Sequence, residues 1–184
     1  MVVVTDWPAW ATGQVVVLPP DPAWQRRGDR ERQRLDAALS PWLEAPVEHV
    51  GSTAVPGLPA KPILDLQGAV ADLECAPQIA AALAAGGWQC VPPELDERPW
   101  RRLFVQLTGE RRTAHLHLLA ADSPGWRDQL DFRDALRADP ALRDRYATLK
   151  QELAREHRND RESYTAAKAD FVRSVLTLGR PGRP

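Results

Sequence analysis

One run constrains this chain more than any other: His49-Val-Gly-Ser-Thr-Ala-Val-Pro-Gly-Leu-Pro-Ala-Lys-Pro-Ile-Leu-Asp-Leu-Gln67. Residues 46–50 read as the end of a strand that breaks at Gly51-Ser52. Pro56, Gly57 and Pro59 then exclude regular structure from the following stretch. A second strand over 62–70 carries Asp65. A glycine followed by a serine at a strand exit lets the backbone approach a ligand closely, and it offers free N–H groups and a hydroxyl. A carboxylate on the next strand can hold a cation beside whatever anion the loop holds. The run therefore reads as a phosphate-and-metal site, with Gly51, Ser52 and Thr53 on the phosphate and Asp65 on the ion.

Such a site needs a domain around it. A chain of 184 residues, 43% of them hydrophobic, suits one globular domain with a real core. We take this as residues 14–178, with 1–13 as an N-terminal arm and 179–184 as a flexible tail. A net charge of −1 gives no strong signal for nucleic acid or an anionic membrane. Cys75 and Cys90 are too few for a disulfide framework and read as reduced thiols. No apolar run is long enough to span a bilayer, and the opening Met1-Val2-Val3-Val4 lacks the length and basic flank of a signal peptide. The expectation is a cytoplasmic protein.

The choice of cation is informative. Of 24 basic residues only Lys61, Lys150 and Lys168 are lysine. In a chain that otherwise uses arginine, a lysine can mark a place where a compact ammonium is wanted. Lys61 lies inside the central loop and could neutralise phosphate. Lys168 lies on an apolar helical stripe one turn after Tyr164, so either its stem snorkels or its head enters the site. For Lys150, chance retention is an equal reading.

Along the chain, residues 14–18 read as a short strand. Asp21-Pro22 starts a helix that buries Trp24, the stem of Glu31, Leu35, Ala38 and Leu39. Asp72 opens an alanine-rich helix closed by Gly86-Gly87. Residues 88–91 form a strand, and 92–99 an acidic mobile loop with Glu94, Asp96 and Glu97. Strands over 100–107 and 111–119 flank the turn Thr108-Gly109-Glu110. Alternation in the second puts Thr113, His115, His117 and Leu119 on one face, and Ala114, Leu116 and Leu118 on the other. Ser123-Pro124 and Asp139-Pro140 each start a helix, the second with the stripe Leu142, Tyr146, Leu149 and Leu153. Asp160 caps a third, with the stripe Tyr164, Ala167, Lys168, Phe171, Val172 and Val175. Strands early and helices late give an α+β domain, a mixed sheet covered by helices with a C-terminal helical segment.

Asp65 and Gln67 are two apart on one strand and face the same way. If the strand of His115 and His117 lies beside it, two imidazoles and a carboxylate converge, a set better suited to a transition ion than to Mg²⁺. The plainer alternative is a pair of hydrogen-bonded sheet histidines without a ligand. Arg133-Asp134 reads as a supporting pair or as an ordinary surface salt bridge. No Rossmann or Walker fingerprint is present, and no Ser-His-Asp or Cys-His spacing argues for covalent catalysis.

The stretch from Gly51 to Leu58, followed by Ala60-Lys61-Pro62 and a strand bearing Asp65, resembles the signature of the GrpB family. His115-Leu116-His117, Phe132-Arg133-Asp134, Leu149-Lys150 and Tyr164 with Lys168 are similar to the family's later motifs, so the resemblance runs over about 15–176. GrpB proteins in turn resemble the nucleotidyltransferase superfamily, in which a Gly-Ser turn precedes a strand bearing Asp-x-Asp or Asp-x-Glu. The resemblance implies a single-domain nucleotidyltransferase-like fold that binds a nucleotide or other phosphate-bearing small molecule. It implies Gly51, Ser52, Thr53, Lys61 and Lys168 on the phosphates. Asp65 would be the catalytic acid, with a divalent metal ion (Mg, Mn or Zn) held among Asp65, Gln67, His115 and His117. Here the superfamily's second acid is Gln67. An amide oxygen is a weak metal ligand, so one ion is expected rather than two. Some GrpB domains are fused to dephospho-CoA kinase, which implies the alternative: a non-catalytic binding or regulatory module linked to coenzyme A metabolism. An intact acid set would favour an enzyme; Gln67 and the two histidines favour a binder.

Overall fold

The two strands on either side of the Gly51-Ser52 break pair with each other and form one edge of a five-stranded sheet. A computed structural model describes residues 16–96 and 98–178, except for the side chains of Arg161 and Glu162. The N-terminal arm, the tail and Glu97 lie outside the described residues. The elements are α1 (Ala23–Leu39), β1 (Leu43–Val50), β2 (Leu64–Val70), α2 (Ala76–Leu83), β3 (Trp88–Cys90), α3 (Pro93–Asp96), β4 (Arg101–Thr108), β5 (Arg111–Ala120), α4 (Pro124–Ala138), α5 (Pro140–Glu156), α6 (Arg161–Ala167) and α7 (Ala169–Leu178). The sheet order is β1-β2-β5-β4-β3. β2 and β5 run parallel, and the other pairs antiparallel. The domain is α+β with a mixed sheet.

Leu66, Ala114, Leu116 and Leu118 point to one face, where Leu35 and Leu39 of α1 and Ile79 and Leu83 of α2 close the core. On α1 the buried residues are Trp24, Gly28, Glu31, Leu35 and Leu39, three and four apart, a single stripe facing the sheet. Ala38 was expected on this stripe and is exposed, because it falls off that spacing. Gly28 belongs to the stripe for a steric reason: a Cβ there would lie 2.1 Å from Nδ1 of His49. The opposite face is covered by α4. Beyond it Val55, Leu58, Leu136 and Tyr146 form a second cluster, with Phe132, Leu142 and Phe171 packed against it.

The aspartate helix signals act as read, whereas Ser123 precedes α4 without a capping side-chain bond. Asp21 Oδ1 accepts from the Ala23 N–H, and Asp139 Oδ1 from the N–H groups of Ala141 and Leu142. Gly87, in the left-handed region at φ 74°, ends the helical segment before β3. Three expectations need correcting. The strand expected over 14–18 is, within the described residues, a single bridge between Leu18 and Ala60, because its neighbour 56–62 is too rich in proline to form a ladder. The acidic stretch 92–99 contains the helical turn α3, and Asp96 is buried there by its pairing with Arg101. The third C-terminal helix is two, α6 and α7, interrupted at Lys168, and Ala167 is exposed. Among the described residues no helix is long and apolar enough to cross a membrane, and Cys75 and Cys90 are free thiols.

Candidate functional site

The site lies on the sheet face opposite the apolar core. Gly51 sits at φ 69°, ψ −169°, a conformation that favours glycine, and a Cβ on it would stand 2.6 Å from Oδ2 of Asp65. Glycine is thus needed both to turn the chain and to admit the carboxylate. Val50 lies opposite Asp65 in the β1–β2 ladder, so the loop begins where the acid is. Ser52 to Ala54 form one helical turn, closed by the Ala54 N–H on the Gly51 carbonyl at 3.2 Å. The Ser52 side chain lies near the Tyr146 hydroxyl and offsets part of the rise that burial imposes on it. Thr53 is turned inward: its hydroxyl donates to the Ile63 carbonyl and meets Nε2 of His49 at 3.0 Å. Its side chain holds the loop from beneath. From α4, Arg137 gives two hydrogen bonds to the Ala54 carbonyl, and Arg133 donates to Glu48 and to the His49 carbonyl. Arg133 also pairs with Asp134 at 2.8 Å, so the Phe132-Arg133-Asp134 motif braces the loop.

Parallel pairing of β2 with β5 sets Asp65 beside His115 and Gln67 beside His117. Asp65 Oδ1 lies 2.9 Å from His115 Nδ1 and 3.7 Å from His117 Nε2. Desolvation raises the Asp65 carboxyl, but the hydrogen bond with His115 and the nearby His117 imidazole outweigh it and hold the group well below the usual carboxylate range. Burial lowers the His115 imidazole against the pull of Asp65. The three side chains offer one ligand atom each within 4.8 Å of one another. Ligand atoms about 2.1 Å from an ion stand roughly 3.0 Å apart at right angles and roughly 3.4 Å apart in a tetrahedron, values that the two separations from Asp65 bracket. Gln67 is fully buried, and its Nε2 donates to the Trp126 carbonyl at 3.0 Å. A carbonyl only accepts, so the amide nitrogen must face it, which leaves Oε1 without a hydrogen bond.

The chain's three lysines lie over its two tyrosines here, Lys150 over Tyr146 and the other two over Tyr164. The Lys61 and Lys168 ammonium groups lie 4.3 and 4.2 Å from the centre of the Tyr164 ring. Lys150, 2% exposed, donates to the Pro59 carbonyl. Burial, then Lys168 and Lys61, hold Lys150 down to about 7 against the pull of Asp65. Burial raises the Tyr146 hydroxyl well above its ordinary value and Tyr164 to about 12, so both remain neutral donors. Beside Tyr146 and Lys168 opens a cleft of about 480 Å³ lined further by Thr165, Val172, Arg173 and Leu176.

Sequence reading assembled Gly51, Ser52, Asp65, Gln67, His115 and His117 on one face, and it singled out Lys61 and Lys168. It undervalued Lys150, although the scarcity of lysine already marked it. It missed the Tyr146 hydroxyl, which reads as a core aromatic on an apolar stripe. It also missed Arg101, whose Nη1 lies 2.8 Å from Nδ1 of His117 while its Nε and Nη2 hold both oxygens of Asp96. Nothing local distinguishes Arg101 from the chain's other arginines; the cue lay in the excess of acids at 94–97.

With this geometry in hand, comparisons with known proteins are informative. Residues 14–177 match the family described as GrpB protein. The UPF0157 protein YqkA of Bacillus subtilis is 30% identical over 162 residues, covering 88% of this chain and 46% of its own length. A dephospho-CoA kinase of Mycolicibacterium paratuberculosis is 29% identical over 187 residues, covering 90% of this chain and 46% of the kinase. This chain thus spans about half the length of both relatives. The crystal structure of conserved protein GrpB from Enterococcus faecalis superposes with a TM-score of 0.77 at 30% identity, covering 89% of this chain and 96% of that one.

Proposed function

The chain belongs to the GrpB family, and from that premise we propose that it binds a phosphate-bearing small molecule, a nucleotide by its resemblance to nucleotidyltransferases. The observation that carries the reading is the meeting of Lys61 and Lys168 over Tyr164, with Lys150 over Tyr146 within their electrostatic reach, beside Asp65 and the Gly51-Ser52 turn. Lys61 and Lys168, with Lys150 behind them, give this corner a positive potential that favours an anion. The Gly51-Ser52 backbone and the Ser52 hydroxyl would hold one phosphate, and Lys61 and Lys168 would neutralise the others. The cleft beside Tyr146 would take the organic part of the ligand. Asp65, His115 and His117 are the set we assign to a divalent ion, which would supply further charge to the phosphates. Lys150 acts by fastening the Pro59 segment to α5.

A second reading has its own support. Gln67 replaces an acid with a neutral amide committed to Trp126, and one relative is a dephospho-CoA kinase. Both favour a binding or regulatory module that performs no transfer. Thermal-shift measurements against nucleotides, dephospho-coenzyme A and coenzyme A, with and without Mg²⁺, Mn²⁺ or Zn²⁺, test the two. A ligand at 100 times its Kd should add about 2.7 kcal/mol of stability. Lys61→Met and Lys168→Met should each weaken the shift, most at low salt, and Gly51→Val should abolish it at a cost in apo stability, since a Cβ there meets Asp65. Unchanged ligand shifts in the Lys61→Met/Lys168→Met double variant would refute the site.

A further inference from the structure

His115 and His117 stand on the same face of β5, two residues apart, yet only one of them has a partner at its outer nitrogen. An imidazole that binds an ion through one nitrogen ordinarily carries its proton on the other, where a carboxylate or carbonyl accepts it. At His117 the outer nitrogen is Nδ1, and its neighbour is Nη1 of Arg101 at 2.8 Å. A guanidinium can only donate and does not lose its proton. Nδ1 must therefore present a lone pair, and in the neutral ring the proton sits on Nε2, pointing toward Asp65 Oδ1 at 3.7 Å. At His115 the nitrogen facing Asp65 is Nδ1, at 2.9 Å. Its buried Nε2 has no hydrogen-bond partner.

Arg101 is not free to turn away. Asp96 grips it through both carboxylate oxygens, and the two side chains are 5% and 11% exposed. The pairing follows from the fold: α3 delivers Asp96 to the start of β4, and β4 pairs with β5 so that Leu103 lies opposite His117. Arg101, two residues before Leu103, is thereby on the same face as His117.

We propose that Arg101, held by Asp96, is a tautomer lock on His117. It turns the His117 N–H toward Asp65 and withholds the Nε2 lone pair from an ion. An ion taking His117 as a ligand moves the ring proton to Nδ1, where it meets a guanidinium N–H, donor against donor. Uptake of an ion by all three side chains and the Arg101–His117 hydrogen bond are therefore mutually exclusive. Full coordination requires Arg101 to release His117. Asp96 and Arg101 are positioning residues in this scheme. The scheme rests on the assignment of an ion to Asp65, His115 and His117, but the lock itself can be read without any ion.

The test has two arms. In the apo protein, long-range ¹⁵N–¹H correlation of the histidine rings shows which His117 nitrogen carries the proton. Nε2–H is expected in the wild type and a mixture of tautomers in Arg101→Met; Nδ1–H in the wild type overturns the lock. In the second arm, calorimetric titration with Zn²⁺ should show Arg101→Met binding about tenfold or more tightly than the wild type. His117→Ala placed on that variant should remove the gain. Equal or weaker Zn²⁺ binding by Arg101→Met overturns the exclusion, because a merely structural arginine would lower stability without raising ion affinity. If neither protein takes up Zn²⁺, the ion assignment falls and the tautomer measurement alone judges the lock. Should Arg101→Met fold poorly because Asp96 is stranded, Asp96→Asn/Arg101→Met removes the stranded charge and serves in both arms.

Discussion

Strands β2 and β5 present two faces made from alternate residues of the same backbone, and the two are closed to water in different ways. On one, Leu66, Leu116 and Leu118 are fully buried against α1 and α2, with carbon packed on carbon. On the other, Gln67, His115 and His117 are almost as well buried, but against one another, Asp65, Arg101 and α4. The first face is satisfied. The second retains two buried polar atoms without hydrogen bonds, Gln67 Oε1 and His115 Nε2. Orphans of this kind cost stability, so a sheet that needed only to fold would not carry them. The difference teaches that the apolar face determines whether the protein folds, and the polar face determines what it can bind.

The largest test of that division is to damage each face at neighbouring positions. Leu116→Ala removes a fully buried side chain from the centre of the core, and the expected loss is about 3–5 kcal/mol in urea unfolding. Asp65→Asn, on the other face of the same ladder, gives up charge-assisted hydrogen bonds at a side chain one-third exposed, and about 1–2 kcal/mol is expected. If Asp65→Asn proves as damaging as Leu116→Ala, the polar face is part of the folding core and the comparison fails.

His49 sharpens the contrast, because it is the histidine that faces the apolar side. It pairs with Leu66 in the β1–β2 ladder, and its ring fills the space that Gly28 leaves open. Burial lowers its pKa from 6.5 to about 4, so the neutral ring is what the fold accepts. A group depressed in this way contributes stability that is complete above pH 6.5 and is lost as pH falls toward 4. At roughly 1.36 kcal/mol per unit, the loss is about 3 kcal/mol. His49→Gln keeps an N–H for Thr53 and cannot titrate, so the difference between its unfolding free energy and that of the wild type should change by about that amount between pH 7 and pH 4. Parallel pH profiles would remove His49 as an acid-sensitive element.

How much of this was legible depended on the range of the signal. The 3.6-residue stripes and the Asp-Pro and Ser-Pro starts fixed the α1, α4 and α5 helices because those cues are local. The alternation Ala114, His115, Leu116, His117, Leu118 fixed both faces of β5 before its neighbours were known. The histidine–aspartate cluster followed once β5 was set beside β2. The Arg101–His117 bond did not follow. It depends on which of 21 arginines reaches a ring from the next strand, a matter of register, and register is set by pairing between distant segments. Asp96 was misjudged for a related reason: an acidic run reads as solvated until a partner from elsewhere buries it. Lys168 read as a stripe residue, yet it marks the break between α6 and α7, which periodicity alone does not reveal.

The smallest expected effect is at Gln67, and it decides whether the polar face is held for function. Gln67 is fully buried and makes one hydrogen bond, to the Trp126 carbonyl. Within α4 that carbonyl is also placed to accept the ordinary bond from the N–H four residues on, so it keeps a partner if the amide is lost. Gln67→Met conserves volume and length, removes the orphaned Oε1 and gives up a single bond. The two terms oppose each other, and the stability should move by less than about 1 kcal/mol in either direction. Gln67→Glu keeps the shape but points a carboxylate at a carbonyl in a dry site, which should cost more than the methionine does. If the amide is kept for a ligand, Gln67→Met will unfold like the wild type and yet lose part of its nucleotide-induced thermal shift. A loss of more than about 2 kcal/mol in the unliganded Gln67→Met variant would instead make Gln67 a brace between β2 and α4, as structural in its way as Leu116 is on the other face.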